Sequence, residues 1–137
     1  IAALLPHVSL VKVSDEDLHL LFPQEAPEAV AARWLEAGPA LVIVTRGGKG
    51  AVALRQGERI ETAAPRIAVV DTVGAGDTFQ ATLIAGLLAL GCRNRGDVAG
   101  VSLPALERLM TRCCAAAAIT CQRQGADLPH ARDLPAF

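Results

Sequence analysis

The chain has no tyrosine, and aromatic residues make up only 3% of it. That scarcity removes the stacking platform on which single-stranded nucleic acids are held. An excess of one charge is also missing: 13 basic against 14 acidic residues leave a formal net charge of −1. Lys and Arg are scattered rather than blocked, so there is no electrostatic footprint for nucleic acid or an anionic membrane. No apolar run is long enough for a membrane. Phe79 to Leu90 comes nearest, at about 12 residues where a span needs roughly 20. Cys92, Cys113, Cys114 and Cys121 form no C-x-x-C pair and have no His at metal-ligand spacing. Reduced thiols in a cytoplasmic protein are expected. His7, His19 and His130 lack partners for a catalytic triad.

What is present is a well-supplied core. The chain has 137 residues, of which 52% are hydrophobic, enough for one domain and too apolar for disorder. It opens on Ile1, and "IAALLPHVSLVKV" reads like the middle of an α/β pattern. A fragment or the second half of a longer protein is expected.

Val8 to Val13 suits a buried strand. Ser14 followed by Asp15, Glu16 and Asp17 reads as a capped helix start. A helix is expected from Pro27 to Ala37, with Pro at its start and Gly38 just past its end. Trp34 and Leu35 are its core-facing residues. "ALVIVT" (40 to 45) is apolar without alternation, the pattern of a central strand covered on both faces. "RGGKG" turns, and Ala51 to Leu54 with Arg59 to Thr62 form a hairpin about Gln56-Gly57. Ile67 to Val70 reads as a further strand. A helix from Asp77 to Leu90, ended by Gly91, is apolar almost all round and so is expected to be buried. Another runs from about Leu103 to Cys121. Alternating strands and helices argue for an α/β layered fold with a mostly parallel sheet.

The chemistry concentrates in "VDTVGAGDTF", Val70 to Phe79. Gly74 and Gly76 allow the main chain close to a phosphate, and the start of a helix offers free N–H groups to an anion. Asp77 is out of place in a site that only binds, because a carboxylate repels a phosphate. It fits a site where a hydroxyl attacking phosphorus must lose its proton. The plainer alternative is that Asp77 only caps its helix. Other phosphate signatures fit poorly. "GGKG" lacks the P-loop frame, and the dinucleotide pattern would need glycine where Phe79 stands. Asp71 and Asp77 could pair as in a glycosidase, but nothing else supports a glycan cleft.

"DTVGAGDTFQA" (71 to 81) resembles the C-terminal signature of the ribokinase-like (PfkB-type) carbohydrate kinases. "LVKVSDEDL" (10 to 18), "VIVTRGGKGAV" (42 to 52) and "CAAAAITCQRQGAD" (114 to 127) resemble further segments of that family. The wording leans toward bacterial fructokinases. The resemblance implies the C-terminal portion of a ribokinase-like layered fold, and a kinase moving the γ-phosphoryl of ATP to a sugar hydroxyl. Asp77 then matches the catalytic base, and Gly74, Ala75 and Gly76 the anion hole. Thr45, Gly47 and Gly50 match a turn lying along ATP; an ordinary hairpin turn is the alternative. Some members hold a monovalent cation, usually potassium. Asp71, Val73, Thr120 and Gly125 match that place, although "LPHA" stands where a serine is often found. The alternative for Asp71 is a loop-bracing hydrogen bond. Ser14-x-x-Asp17 stands where the family often has N-x-x-E linked to magnesium; an acidic helix start is the alternative for Asp17.

The family's N-terminal half holds the sugar and supplies a β-strand lid, so the resemblance implies that this chain lacks most of its acceptor site. The implied partners are ATP with Mg²⁺ and a small sugar, with neither nucleic acid nor membrane, and with a homodimer open for the complete protein. Ribose, a deoxy-keto sugar acid, a phosphosugar or a nucleoside are alternative acceptors. A non-catalytic nucleotide-binding or interaction module of the same fold is the competing class.

Overall fold

The run after Ser9 forms strand β1 (Leu10–Ser14) in the computed structural model, which describes residues 1–135. Ser14 then caps helix α1 (Asp15–Leu21), its hydroxyl oxygen accepting from the Asp17 N–H at 3.0 Å. Helix α2 (Pro27–Glu36) follows, with Pro in the first turn, where its missing N–H costs nothing. Strands β2 (Leu41–Thr45), β3 (Ala51–Arg55) and β4 (Glu58–Thr62) complete a sheet of order β1-β2-β3-β4.

The sheet is mixed rather than mostly parallel within this chain. β1 and β2 run parallel, whereas β2–β3 and β3–β4 are antiparallel. The cause is connection length. Only the β1–β2 link carries helices and can cross over; the short turns after β2 and β3 can make nothing but hairpins.

Period-two alternation divides the core between the two faces of the sheet. Val42 and Val44 face Leu18 of α1 and Val30, Ala31 and Trp34 of α2. Leu41, Ile43, Ala51, Ala53 and Ile60 face the other way. They pack on helices α3 (Ala75–Ala89) and α5 (Leu103–Cys121), which contribute Phe79, Leu83, Leu106, Leu109 and Met110 among others. Residues 41 to 44 are buried throughout, as the unalternating run predicts.

Two further expectations need correction, and one helix is added. Ile67 to Val70 is not a strand. After β4 the chain leaves the sheet through Pro65, and Val69 and Val70 are 60% and 63% exposed. The Val70 N–H bonds instead to the Cys121 carbonyl at the end of α5. The second correction concerns α3, which begins at Ala75 rather than Asp77 and is not buried all round. Phe79, Leu83 and Leu87 face the core, while Ile84 and Leu88 are 45% and 48% exposed, because the sheet and α5 cover only one side of it. Its end follows the pattern: Gly91 (φ +85°) closes a Schellman turn, with the Cys92 N–H on Leu87 O and the Gly91 N–H on Leu88 O. The added helix is the short α4 (Arg95–Ala99), which is held by an Asn94–Asp97 capping box, precedes α5 and was not anticipated. No helix among the described residues is long and apolar enough to cross a membrane.

Candidate active site

β1 and β2 end side by side at Ser14 and Thr45. In open α/β sheets ligands bind beyond the carboxyl ends of parallel strands. A cleft of about 400 Å³ opens at that place. The β2–β3 turn (Gly47, Gly48, Gly50) forms one wall and the start of α3 (Ala75, Gly76) another. Ala64, Pro65, Ile67 and Val69, on the segment that leaves the sheet, line it as well.

The start of α3 is built for an anion. Gly74 is the N-cap residue, at φ +80°, a left-handed conformation that suits glycine. A β-carbon there would also stand 3.1 Å from the Ala126 side chain. The Ala75 N–H donates to Thr72 O at 3.2 Å, and the Thr78 N–H to Gly74 O at 2.8 Å. Between them, the N–H groups of Gly76 and Asp77 have no protein acceptor among the described residues. The Gly74 N–H likewise has no protein acceptor among the described residues, so of the expected anion-hole amides only that of Ala75 is taken up, and the other donors at the positive end of the helix are free.

Asp77 is exposed in the third position of α3 and makes no cap. The capping alternative is therefore set aside: Gly74 occupies that position and no side-chain cap bond forms. Asp77 is not among the residues that line the cleft; Ala75 and Gly76, which precede it in the first turn of α3, are.

The loop before α3 is braced from behind. Asp71 Oδ1 accepts from the Val73 N–H at 3.0 Å and Oδ2 from the Gly125 N–H at 2.9 Å. Those backbone bonds hold its carboxyl below the usual carboxylate range. Thr78 Oγ1 and Thr120 Oγ1 share a buried hydrogen bond of 2.8 Å, joining α3 to α5. Asp71, Val73 and Gly125 are thus brought together, while the Thr120 hydroxyl is turned into the helix interface.

The other glycine turn differs. Gly47 (φ +50°) has open space where a β-carbon would stand. At Gly50 a β-carbon would lie 2.0 Å from Thr62 O, so packing against the exit of β4 dictates glycine there. Thr45 reaches across to β1, its hydroxyl donating to Val13 O at 3.4 Å.

With this geometry in place, comparison with known proteins is decisive. The pfkB family carbohydrate kinase profile matches residues 1–132. The chain belongs to the pfkB family of carbohydrate kinases. It is 40% identical to a fructokinase of Rhizobium leguminosarum bv. trifolii over 98 residues, which is 72% of this chain and 30% of that enzyme. It is 35% identical to an ATP-dependent 6-phosphofructokinase of Thermoanaerobacterium thermosaccharolyticum over 64% of this chain and 27% of that one. Among solved structures it is similar to the aminoimidazole riboside kinase of Salmonella enterica, complexed with aminoimidazole riboside and an ATP analogue. That match has a TM-score of 0.74 at 26% identity, over 91% of this chain and 39% of that one. The chain therefore spans about a third of the length of these relatives, and its ribokinase-like architecture is theirs.

The cleft also brings in residues that the sequence motifs did not mark. Asp17 does not line the cleft. Its carboxylate accepts from the Ser14 hydroxyl at 2.6 Å, so the acidic-helix-start alternative describes what Asp17 does. The cleft carboxylates are Asp15 and Glu16. Lys12 also lines it, its Nζ 3.2 Å from where a β-carbon on Gly76 would stand. The only signal for Lys12 in the sequence is a lone charge inside an apolar strand. Cys114 and Cys121 line the cleft too, and burial raises both thiols, Cys114 to about 11. They are neutral at physiological pH and poor nucleophiles. Among the described residues no group of three or more His, Cys, Asp or Glu could hold a metal alone.

Proposed function

We propose that residues 1 to 137 form the ATP-binding and catalytic portion of a fructokinase-like sugar kinase, with the sugar held mainly by chain outside this segment. The observation that carries the proposal is the start of α3. Unbonded N–H groups at Gly74, Gly76 and Asp77 and an uncommitted Asp77 carboxylate share the first turn of α3, whose Ala75 and Gly76 line a cleft walled by a second glycine turn. Donors alone would fit a binding module. A carboxylate at the same turn fits proton removal.

In this reading ATP lies along Thr45, Gly47 and Gly50, with its terminal phosphoryl toward Gly76. Asp77 accepts the proton of the sugar hydroxyl as its oxygen bonds to phosphorus and the bond to the bridging oxygen of ADP breaks. The N–H groups of Gly76 and Asp77 stabilise charge on the moving phosphoryl. Asp15 and Glu16 fit Mg²⁺, since that ion takes one or two carboxylates plus substrate phosphates rather than a full protein cage. Bound there, Mg²⁺ would neutralise phosphate charge. The potassium ligand set fits less well. Asp71 is engaged by two N–H groups and Thr120 by Thr78, so both are assigned to bracing and no step passes through potassium. Four free cysteines suit a cytoplasmic protein.

The test is turnover with ATP across fructose, fructose 6-phosphate, ribose, a deoxy-keto sugar acid and a nucleoside. It is run on the full-length protein and on the isolated 137 residues. The full protein should favour fructose, and the isolated segment should show little turnover, because transfer requires donor and acceptor held together. Equal turnover by the segment would contradict the missing-acceptor reading. Nucleotide binding without turnover on any acceptor would favour a non-catalytic module.

A further inference from the structure

We propose that Lys12 is a phosphate-binding residue of this cleft, holding the terminal phosphoryl group of the nucleotide against the free N–H groups of Gly76 and Asp77. The inference rests on the nucleotide reading given above and adds a residue to it.

Position in β1 comes first. Val11 and Val13 pack toward α1 and α2, while Leu10 packs toward α3 and α5. Alternation places Lys12 on the Leu10 side, the face that elsewhere is filled with Leu41, Ile43 and Phe79. A lysine at that place gives up apolar contact that its neighbours make. Its stem is half-buried, and its ammonium ends at the start of α3.

The surroundings of the ammonium are the second observation. Asp15 and Glu16 share the cleft, yet among the described residues Lys12 forms no ion pair or side-chain hydrogen bond. Instead it faces the end of a helix that carries partial positive charge. Cations are disfavoured there. Donors from two elements 64 positions apart in sequence, the Lys12 ammonium and the N–H groups of Gly76 and Asp77, therefore converge with no protein acceptor between them. An anionic tetrahedral group reconciles the three. A local conflict of this kind, kept against folding preference, is characteristic of functional sites. It also gives Gly76 a reason beyond helix geometry, because any side chain there would crowd the ammonium. A lysine suits a phosphoryl that moves, because it acts as a point charge on a flexible stem with three rotatable donors.

The experiment compares binding of ADP and of the non-transferable β,γ-imido analogue of ATP to the full-length protein, by calorimetry, for wild type, Lys12→Met and Lys12→Arg. Lys12→Met should weaken the ATP analogue by about tenfold or more, with ADP within about twofold, as for loss of one charge-assisted hydrogen bond. Lys12→Arg should recover most of the loss. Without nucleotide, Lys12→Met should melt at or above the wild-type temperature, because it removes a cation from a helix N-terminus. A purely structural lysine would lower it. Unchanged analogue binding in Lys12→Met, or equal loss of ADP and analogue, would overturn the assignment while leaving the nucleotide site intact. Failure of wild type to bind either nucleotide would instead overturn the nucleotide reading, and this inference with it.

Discussion

Two glycines of the turns that wall the cleft, Gly50 of "RGGKG" and Gly76 of "VGAGD", look alike in sequence and differ in what they do. In the first, Gly50 is fixed by the protein itself: a β-carbon would strike the Thr62 carbonyl at 2.0 Å. In the second, Gly76 meets no backbone at all, only the flexible end of Lys12 at 3.2 Å. One glycine is required by packing and the other is open to the cleft. A glycine-rich motif is thus not by itself a ligand signature, and the neighbours of each β-carbon position decide between the two roles.

Substitutions can break or sharpen this contrast. The largest effect on folding should come from Gly50→Ala. Backbone must move to admit the new β-carbon, and the left-handed φ of +95° adds strain. A loss of about 2–4 kcal/mol is expected in urea or thermal unfolding; a loss below about 0.5 kcal/mol would remove the packing argument. Gly76→Ala should behave in the opposite way. Its backbone is helical, so stability should stay within about 0.5 kcal/mol or rise slightly. Phosphoryl transfer should fall by about tenfold or more as the new methyl displaces Lys12 from the phosphoryl position. An alanine variant at Gly76 that is both stable and fully active would erase the functional half of the distinction between the two glycines.

The smallest effect concerns the brace behind the second turn. Asp71 is held below its ordinary value of 3.8 by the N–H groups of Val73 and Gly125. A depressed carboxyl stabilises the fold above that ordinary value and loses its contribution as pH falls through the depressed one. Melting temperature followed from roughly pH 5 to pH 2 should therefore drop less in Asp71→Asn than in wild type. Parallel curves would mean that the brace carries no weight.

Much of the scaffold was legible because its signals are local. The unalternating "LVIVT" became the buried central strand, Ser14 capped α1, and α5 spans Leu103 to Cys121. The site was legible to the extent that one segment, 71 to 77, carries it. What was not legible depends on partners distant in sequence. Ile67 to Val70 has strand-forming residues, but no described strand lies beside it. Gly50 needs Thr62 to explain it, and Lys12 needs Gly76. Which of Asp15, Glu16 and Asp17 faces the cleft follows from helix phase once Ser14 has captured Asp17. The parallel sheet expected from alternating elements gave way to hairpins because the turns after β2 and β3 are short.

The central claim is that the carboxylate of Asp77 turns a phosphate cradle into a reaction centre. The most direct measurement is the single-turnover rate of phosphoryl transfer by Asp77→Asn in the full-length protein, alongside its ATP affinity. The account predicts ATP binding within about threefold of wild type and a transfer rate lower by about 10²–10⁴, the range for a lost general base. A variant that binds ATP and transfers phosphoryl within about threefold of wild type would contradict it, and would leave Asp77 as no more than a charge on the first turn of α3.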